Sequence, residues 1–254
     1  MAEDLLVLSG VTKGFGGILA VDDVSMVVGA GEIVGLVGPN GAGKTTLFNC
    51  VSGMVRQDAG TITFDGVVLD HLAVFRRARL GIGRTFQRVE VFPELSVRDH
   101  LLVADRAHRR QGHLWKDLLN RSAPTADELA RADETMDLVG LSDLADTPVA
   151  ALGLGSCRLV ELARSLMTEP RLLMADEPSS GLDGHETAEL SAVLRTAQRR
   201  RGLAVLLVEH DLGMVGQVVD RTVVLDLGQV LTEGGFDEVM ADPVVRRAYL
   251  GRSA

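Results

Sequence analysis

The sequence predicts an α/β fold in which a mainly parallel β-sheet carries helices on both faces. Three observations support this prediction. Short apolar runs such as Glu32–Gly38 ("EIVGLVG") have the nearly continuous hydrophobicity of strands that are buried on both faces. Helical patterns alternate with these runs, as they do around parallel sheets. A long helical stretch from Leu95 to about Leu141 interrupts the alternation, and we predict that it is inserted into the sheet-forming part.

The first third of the chain alternates strands with turns. Leu5–Val11 and Leu19–Val28 are predicted strands on either side of "TKGFGG", whose glycines suit a turn. Glu32–Gly38 is the buried strand, and a helix is predicted from Lys44 to about Gly53. Thr61–Gly66 is a strand that runs into a turn.

The same patterns predict the remaining elements on both sides of the helical insert. The predicted helices are Leu72–Leu80, Ser156–Met167, Glu186–Arg201 and Leu212–Val219. The predicted strands are Gly81–Phe86, Arg171–Asp176, Leu203–Glu209 and Arg221–Gly228.

The composition is that of an ordinary globular protein. The chain has 254 residues, of which 46% are hydrophobic and 24% charged, and its net charge of −9 argues against nucleic-acid binding. No apolar run approaches the roughly 18–20 residues of a membrane span. The acidic start, Met1–Asp4, is unlike a secretory signal. Cys50 and Cys157 fit neither a zinc site nor a disulfide framework, so we expect a reducing compartment and membrane association only through a partner.

The segment "GPNGAGKTT" is predicted to bind the phosphates of a nucleotide. It matches G-x-x-x-x-G-K-[ST] and has the required strand before it and helix after it. Glycines let the backbone wrap a phosphate with its N–H groups, and the positive end of the helix faces the same anion. Lys44 is predicted to reach the β- and γ-phosphates, and the Thr45 hydroxyl to ligate Mg²⁺. The predicted contacts are Gly38, Pro39, Asn40, Gly41, Ala42, Gly43, Lys44, Thr45 and Thr46.

Polar side chains follow three predicted strands. Asp176 and Glu177 end "RLLMADE", where two carboxylates are costly without a positive partner such as Mg²⁺ on a triphosphate. Asp176 is predicted to hold the metal, and Glu177 to orient or deprotonate the attacking water. His210 in "LLVEHD" is predicted to contact the γ-phosphate, and Gln87 in "RTFQ" to ligate Mg²⁺ and orient water. A solvated acidic turn and a structural histidine are the alternatives.

Together and in this order, these residues resemble the ATP-binding cassette ATPases of membrane transporters, over essentially the whole chain. The resemblance implies ATP and Mg²⁺ as cofactors, with Glu177, His210 and Gln87 as catalytic residues. It implies a signature at Leu152–Ser156 and a loop, Ser179–Asp183, that crosses to a partner subunit. The further nucleotide contacts that it implies are Phe15 (stacking on adenine), Val21, Gly153, Leu154, Gly155, Ser156 and Asp183. The implied metal ligands are Thr45, Gln87 and Asp176.

The resemblance also implies an architecture. It is a P-loop NTPase (RecA-like) core with an N-terminal antiparallel β subdomain and an inserted helical subdomain, all within one domain over residues 1–254. The expected division is a core at about 1–87 and 159–233, a helical subdomain at about 88–158 and a C-terminal helical tail at about 234–254.

Several stretches resemble the ATPases of branched-chain amino acid transporters more closely: "FGGILAVDDVS", "TTLFNC", "GIGRTFQRVEVFPELSVRDHLLVA" and the closing "AYLG". This implies an importer subunit at the cytoplasmic face of the plasma membrane. Its implied partners are a homologous but different ATPase chain, two permeases and, indirectly, a substrate-binding protein, with no nucleic acid. An amide or urea importer is the alternative. A soluble cassette ATPase of DNA repair or translation is less favoured, because this chain has one short cassette. A GTPase is also less favoured, because the sequence lacks the N-K-x-D motif that reads the guanine base.

The signature departs from the usual L-S-G-G-Q. Gly153 stands at the usual Ser position and Ser156 at the usual Gln position, whereas Gly155 is retained. We expect a helix to start near Ser156, with Ser156 as its cap and its amides facing the anion. A working but weaker clamp is predicted. The alternative is a degenerate half-site that leaves most turnover to the partner's signature.

Two further surfaces are predicted. The segment "VEVFPEL", with Phe92 near its centre, is expected to receive a permease helix, and a core position is the alternative. In the insert, Arg106, Arg109, Arg110 and Trp115 are expected on a solvated helix face, with lipid head-group contact as the alternative.

Overall fold

The computed structural model describes residues 3–85, 92–109 and 123–250, and within them the predicted α/β class is confirmed. The strands are β1 (Asp4–Phe15), β2 (Ile18–Gly29), β3 (Ile33–Val37), β4 (Ala59–Phe64), β5 (Val67–Val68), β6 (Ile82–Arg84), β7 (Leu172–Asp176), β8 (Ala204–Val208), β9 (Arg221–Asp226) and β10 (Gln229–Gly234). The helices are α1 (Lys44–Ser52), α2 (Val74–Arg79), α3 (Val97–Arg109), α4 (Ala126–Val139), α5 (Leu154–Leu166), α6 (Gly184–Arg201), α7 (Leu212–Val218), α8 (Phe236–Ala241) and α9 (Pro243–Leu250).

The larger sheet carries the site. In the described part of the chain its strand order is β10-β9-β3-β8-β7-β6, and every neighbouring pair is parallel except β9 and β10. The pairing of Asp176 with Val208 aligns the carboxyl ends of β7 and β8. Whatever follows these two strands therefore lies side by side at one edge of the sheet.

The smaller sheet is antiparallel, in the order β2-β1-β4-β5. Its first hairpin differs from the prediction because β1 continues through "TKGF" to Phe15, which pairs with Ile18. The turn is therefore only Gly16 and Gly17, both at positive φ (56° and 86°), which is the geometry of a tight hairpin turn.

The larger sheet is buried on both faces, as its continuous apolar runs predicted. In β3, Ile33 and Val37 belong to the core formed with the helices α3 to α7, whereas Val34 and Leu36 face the core shared with α1 and the smaller sheet. The polar residues at the strand ends are therefore attached to a sheet that is packed against hydrophobic cores on both faces.

A buried arginine, Arg77, fastens the helix that follows the phosphate loop. Its guanidinium donates to the carbonyls of Cys50 (2.7 Å) and Val51 (2.8 Å), in the last turn of α1. It also donates to Leu69 (2.8 Å) and Leu72 (3.0 Å). The carbonyls of a last helical turn have no partner within the helix, and the negative end of the helix favours a cation. Arg77 therefore acts as a cap for α1, although burial lowers its pKa.

Two helices of the insert are described, α3 and α4, and residues 110–122 between them, including Arg110 and Trp115, lie outside the described residues. Arg106 pairs with Glu128 (2.7 Å) and its side chain is only 12% exposed, so the solvated face predicted for it is wrong. Glu128 also closes the capping box of α4 with Thr125. The hydrogen bond from Arg106 is the main reason why the pKa of Glu128 falls to about 2. Arg109 is likewise paired, with Asp105 (2.9 Å).

The predicted division into core, helical subdomain and tail stays a prediction. No helix among the described residues is both long and apolar enough to cross a membrane. Cys50 is buried, Cys157 is half-buried, and both are free thiols.

Candidate functional site

The phosphate loop joins β3 to α1, and two of its glycines are required by close approach as well as by backbone angle. Gly38 has a φ of 147°, and a Cβ there would lie 2.1 Å from the carbonyl oxygen of Leu225. Gly43 has a φ of 102°, and its Cβ would lie 2.2 Å from the carbonyl oxygen of Ala20. No other residue fits either position, because both contacts are with backbone atoms. The loop is therefore wedged between β9 and the start of β2.

Lys44 is the first residue of α1, and its side chain folds back into the loop. Its Nζ donates to the carbonyls of Gly38 (2.6 Å) and Pro39 (3.1 Å). Burial lowers the pKa of Lys44, and the nearby Glu177 opposes that shift. The N-cap Gly43 provides no side-chain cap, so the first amides of α1 remain available to an anion. Thr45 is exposed at the same end.

The predicted base-stacking residue lies at the tip of the first hairpin. Phe15 is 51% exposed, and the Lys13 Nζ lies 5.2 Å from its ring centroid. Asp58 holds Lys13 in place through an ion pair of 2.7 Å. Val21, further along β2, is fully buried and contributes to the core beneath the loop. One face of the Phe15 ring is therefore supported by a cation, and the ring is accessible to a planar ligand.

The two predicted carboxylates follow β7, as expected. Asp176 is 3% exposed, and its Oδ2 lies 3.2 Å from Nη2 of Arg84, which ends β6. Burial raises the pKa of Asp176 and the carboxylates of Glu177 and Glu209 add to that effect, whereas Arg84 opposes it. A cation is therefore favourable beside Asp176. Arg84 was not predicted as a site residue, although it is the last residue of β6, the strand that pairs with β7.

Glu177 and His210 lie together beyond the ends of β7 and β8. His210 Nδ1 is 3.6 Å from Glu177 Oε1, and the histidine side chain is 58% exposed. The Glu177 N–H donates to the carbonyl of Val208 (2.8 Å). Glu177 has a φ of 46°, a left-handed conformation that is uncommon outside glycine and is found at functional sites. The structure thus brings the two predicted catalytic residues together, while Gln87 lies outside the described residues.

The donors near the loop fit a magnesium ion. Thr45 and Asp176 offer only oxygen atoms, which hard cations prefer. No group of three or more His, Cys, Asp or Glu side chains in the described ranges could hold a metal by itself. Such an ion would therefore take further oxygens from a phosphate ligand and from water, which is how Mg²⁺ is usually bound in nucleotide sites.

Glu209 was not predicted and is fully buried between the two strand-end loops. Its Oε1 accepts from the backbone N–H (2.9 Å) and the hydroxyl (2.7 Å) of Ser179. Its Oε2 accepts from the N–H groups of His210 (3.1 Å) and Asp211 (3.3 Å). An acid directly after an apolar strand, in "LLVEHD", was the only signal in the sequence that pointed to it.

The signature begins a helix, but Ser156 does not cap it. Helix α5 starts at Leu154 with Gly153 as its N-cap, so the prediction that Ser156 caps the helix is wrong by three positions. The start is earlier because the backbone of Gly153 adopts the extended N-cap conformation without any side-chain bond. The Gly155 N–H donates to Oε1 of Glu186 (3.2 Å), and a Cβ on Gly155 would lie 2.7 Å from that oxygen.

The signature helix also contacts the segment Ser179–Asp183, called the crossing loop below. Arg158 donates to the carbonyl of Ser180 (3.3 Å), and a Cβ on Gly181 would lie 3.0 Å from the Leu154 side chain. Asp183 ends the loop as the N-cap of α6, accepting from the N–H groups of His185 (2.8 Å) and Glu186 (2.9 Å). These hydrogen bonds hold the pKa of Asp183 below its usual value. The signature segment and the crossing loop of one chain are therefore packed against each other.

Phe92 is 49% exposed, and its N–H donates to Nε2 of His100 (2.9 Å). It is therefore not a buried core residue. Its role as part of a permease socket stays a prediction, since most of the segment around it lies outside the described residues.

Comparison with known proteins places these features in a family. The ABC transporter family model matches residues 21–180. A second model, described as branched-chain amino acid ATP-binding cassette transporter, matches residues 229–254.

Curated relatives and solved structures match along the full length. LivG of Salmonella typhimurium, named as a high-affinity branched-chain amino acid transport ATP-binding protein, is 39% identical over 256 residues and covers 100% of both chains. BraF of Pseudomonas aeruginosa, with the same description, is 37% identical over 257 residues, again covering 100% of both. The crystal structure of the ADP conformation of MJ1267, an ATP-binding cassette of an ABC transporter, has a TM-score of 0.86, with 28% identity over 98% of this chain and 99% of that one.

Proposed function

The chain belongs to the ATP-binding protein family of ABC transporters, and we propose that it energises an importer of branched-chain or other hydrophobic amino acids. It is an ATPase coupled to transport. The observation that carries the proposed cargo is the match over 100% of both chains to branched-chain amino acid transport ATP-binding proteins. The C-terminal match at residues 229–254 supports the same assignment.

In the proposed binding step, the phosphate loop receives the triphosphate of ATP. The first amides of α1 and the Lys44 ammonium face the β- and γ-phosphates. The ammonium exchanges its two carbonyl acceptors, those of Gly38 and Pro39, for phosphate oxygens, whose negative charge stabilises the buried cation. Phe15 stacks on the adenine. Thr45, Gln87 and Asp176 would hold Mg²⁺, which would supply positive charge beside the phosphates.

In the proposed hydrolytic step, Glu177 orients the attacking water and accepts its proton. His210 contacts the γ-phosphate, and its distance of 3.6 Å from Glu177 supports a shared role around that group. Preorganised groups of this kind lower the barrier to phosphoryl transfer by positioning and electrostatics.

We further propose that two ATPase subunits close face to face, with the signature at Gly153–Ser156 capping the nucleotide held by the partner. The second subunit is a homologous but different chain, as the resemblance implies. Two permeases bind the pair at the cytoplasmic face of the plasma membrane, where the chain is peripheral, and a substrate-binding protein acts through them. The exposed Phe92 supports a permease contact beside it.

The proposal is tested by reconstituting the chain with its partner ATPase and permeases in liposomes. ATP-dependent uptake of labelled leucine is expected, with competition by isoleucine and valine but not by acetamide or urea. Glu177→Gln should abolish both uptake and phosphate release while ATP binding remains. Competition by acetamide or urea alone would reassign the cargo, and undiminished hydrolysis by the Glu177 variant would contradict the proposed catalytic role.

A further inference from the structure

The buried carboxylate of Glu209 has no part in the mechanism proposed so far. It is 0% exposed, and burying a carboxylate is costly unless its charge is compensated. Four donors compensate it, at 2.7 to 3.3 Å, and none of them belongs to a basic side chain. Hydrogen bonds to an ionised group are stronger than those between neutral groups, so this arrangement is costly to break.

The four donors come from two different loops. Among the described residues, Oε1 accepts only from Ser179, two residues after Glu177, whereas Oε2 accepts only from the amides of His210 and Asp211. The strands β7 and β8 already align these loops, and the Glu177 N–H extends the alignment by one bond to Val208. Beyond that bond the backbone pairing ends, and the Glu209 carboxylate is the next link between the loops.

We propose that Glu209 is a positioning residue for ATP hydrolysis, because its carboxylate bridges the two loops and sets the separation of Glu177 and His210. The inference rests on the proposed function, in which Glu177 orients water and His210 contacts the γ-phosphate. Glu209 itself touches neither ATP nor water in this scheme. It acts by holding Glu177 in its left-handed backbone conformation while His210 faces it at 3.6 Å.

Only a glutamate satisfies this arrangement. Glutamine has one acceptor oxygen, and whichever way its amide turns, the NH₂ group faces the donors of one loop. An NH₂ group that faces His210 and Asp211 leaves both of their amides without an acceptor. An NH₂ group that faces Ser179 lets the hydroxyl turn and accept, but the backbone N–H of Ser179 loses its acceptor and meets another N–H. Aspartate keeps both oxygens but is one methylene shorter, so it cannot span both loops at hydrogen-bond distance. The bridge therefore depends on the charge and on the length of the side chain.

The test measures ATP hydrolysis by the chain assembled with its partner ATPase and permeases. Glu209→Gln is expected to lower kcat by about 10-fold to 100-fold, the range for losing hydrogen bonds to a charged group, with KM for ATP changed by less than about 3-fold. Glu32→Gln is the matched control, since it makes the same change in a carboxylate that accepts from the N–H of Gly29 (2.7 Å) and from Arg221 (3.0 Å), at the opposite end of the sheet from the two loops. Its kcat should stay within about 2-fold of the wild type. A general cost of removing a hydrogen-bonded carboxylate would affect both variants alike, and thermal melting of each variant measures it directly.

A Glu209→Gln protein that hydrolyses ATP within about 2-fold of the wild type would overturn the inference, and so would an equal loss in the Glu32→Gln control. If Glu209→Gln does not fold, Ser179→Ala decides: it removes one donor to Oε1 and keeps the backbone bond, so kcat should fall by about 3-fold to 10-fold at unchanged KM. Wild-type turnover in that variant would overturn the inference. Glu177→Gln, assayed in parallel, separates this failure from failure of the proposed function, because only the latter leaves the Glu177 variant active.

Discussion

Replacing Arg77 with methionine should strongly destabilise the fold around α1, the helix that follows the phosphate loop. The side chain is 3% exposed and donates to four backbone carbonyls at 2.7–3.0 Å. Two of these oxygens, those of Cys50 and Leu69, also accept from a backbone N–H and would keep a partner. The carbonyls of Val51 and Leu72 would lose theirs, at about 1–3 kcal/mol each. With the lost interaction between the cation and the end of α1, the expected loss is about 2–7 kcal/mol, a large share of the stability of a typical domain.

The assay is urea unfolding of the purified chain, followed by circular dichroism. Arg77→Lys should fall between the wild type and Arg77→Met, because an ammonium keeps the charge but cannot reproduce the planar fork of donors. Arg76→Met, an exposed change in the same helix, is the control and should shift the free energy of unfolding by less than about 0.5 kcal/mol. A loss below about 1 kcal/mol in Arg77→Met would refute the reasoning, since the orphaned carbonyls would then cost almost nothing.

Three further changes follow from the same geometry. Glu128→Gln removes a carboxylate whose pKa is about 2, held down mainly by Arg106. Because the folded-state pKa of Glu128 is depressed, its contribution to stability is complete above about pH 4.5 and is lost as the pH falls towards 2. Urea unfolding should therefore show a difference of about 1–3 kcal/mol between wild type and variant at pH 7 that shrinks between about pH 4.5 and pH 2. A difference that does not change with pH would contradict this. Gly155→Ala should push the Glu186 carboxylate off the start of α5 and weaken ATP-driven pairing in light scattering, with ATP binding by the chain itself unchanged; unaltered pairing would contradict the close contact. Gly153→Ser has open space for its Cβ and adds a capping hydroxyl, so it should raise stability by a few tenths of a kcal/mol and strengthen pairing, whereas weakened pairing would show that the usual signature serine does not suit this clamp.

Much of the fold follows from local pattern. Runs such as Ile33–Val37 are apolar at every position because both faces of the larger sheet are covered, and that composition is visible in the sequence. The meeting of Glu177 and His210 was also predictable, since residues that follow neighbouring parallel strands must lie at the same edge.

What could not be predicted depends on contacts between distant segments. Arg77 and Glu209 are ordinary surface-type residues by composition, and only the tertiary structure surrounds them with carbonyls or amides. The start of α5 was misjudged because Ser156 is the favoured capping residue type, whereas Gly153 takes that position by backbone conformation alone. The contact between Gly155 and Glu186 joins residues 31 positions apart, beyond any local rule.

The packing of the signature helix against the crossing loop has a consequence for a pair of unlike subunits. The crossing loop starts two residues after Glu177, and its Ser180 and Gly181 contact the signature helix, so any shift of Glu177 during the proposed cycle would be passed to the signature. In the proposed pair, that clamp lies on the partner's ATP. The two nucleotides would then be consumed in a correlated order, and the altered signature of this chain would slow the turnover of its partner's ATP rather than its own.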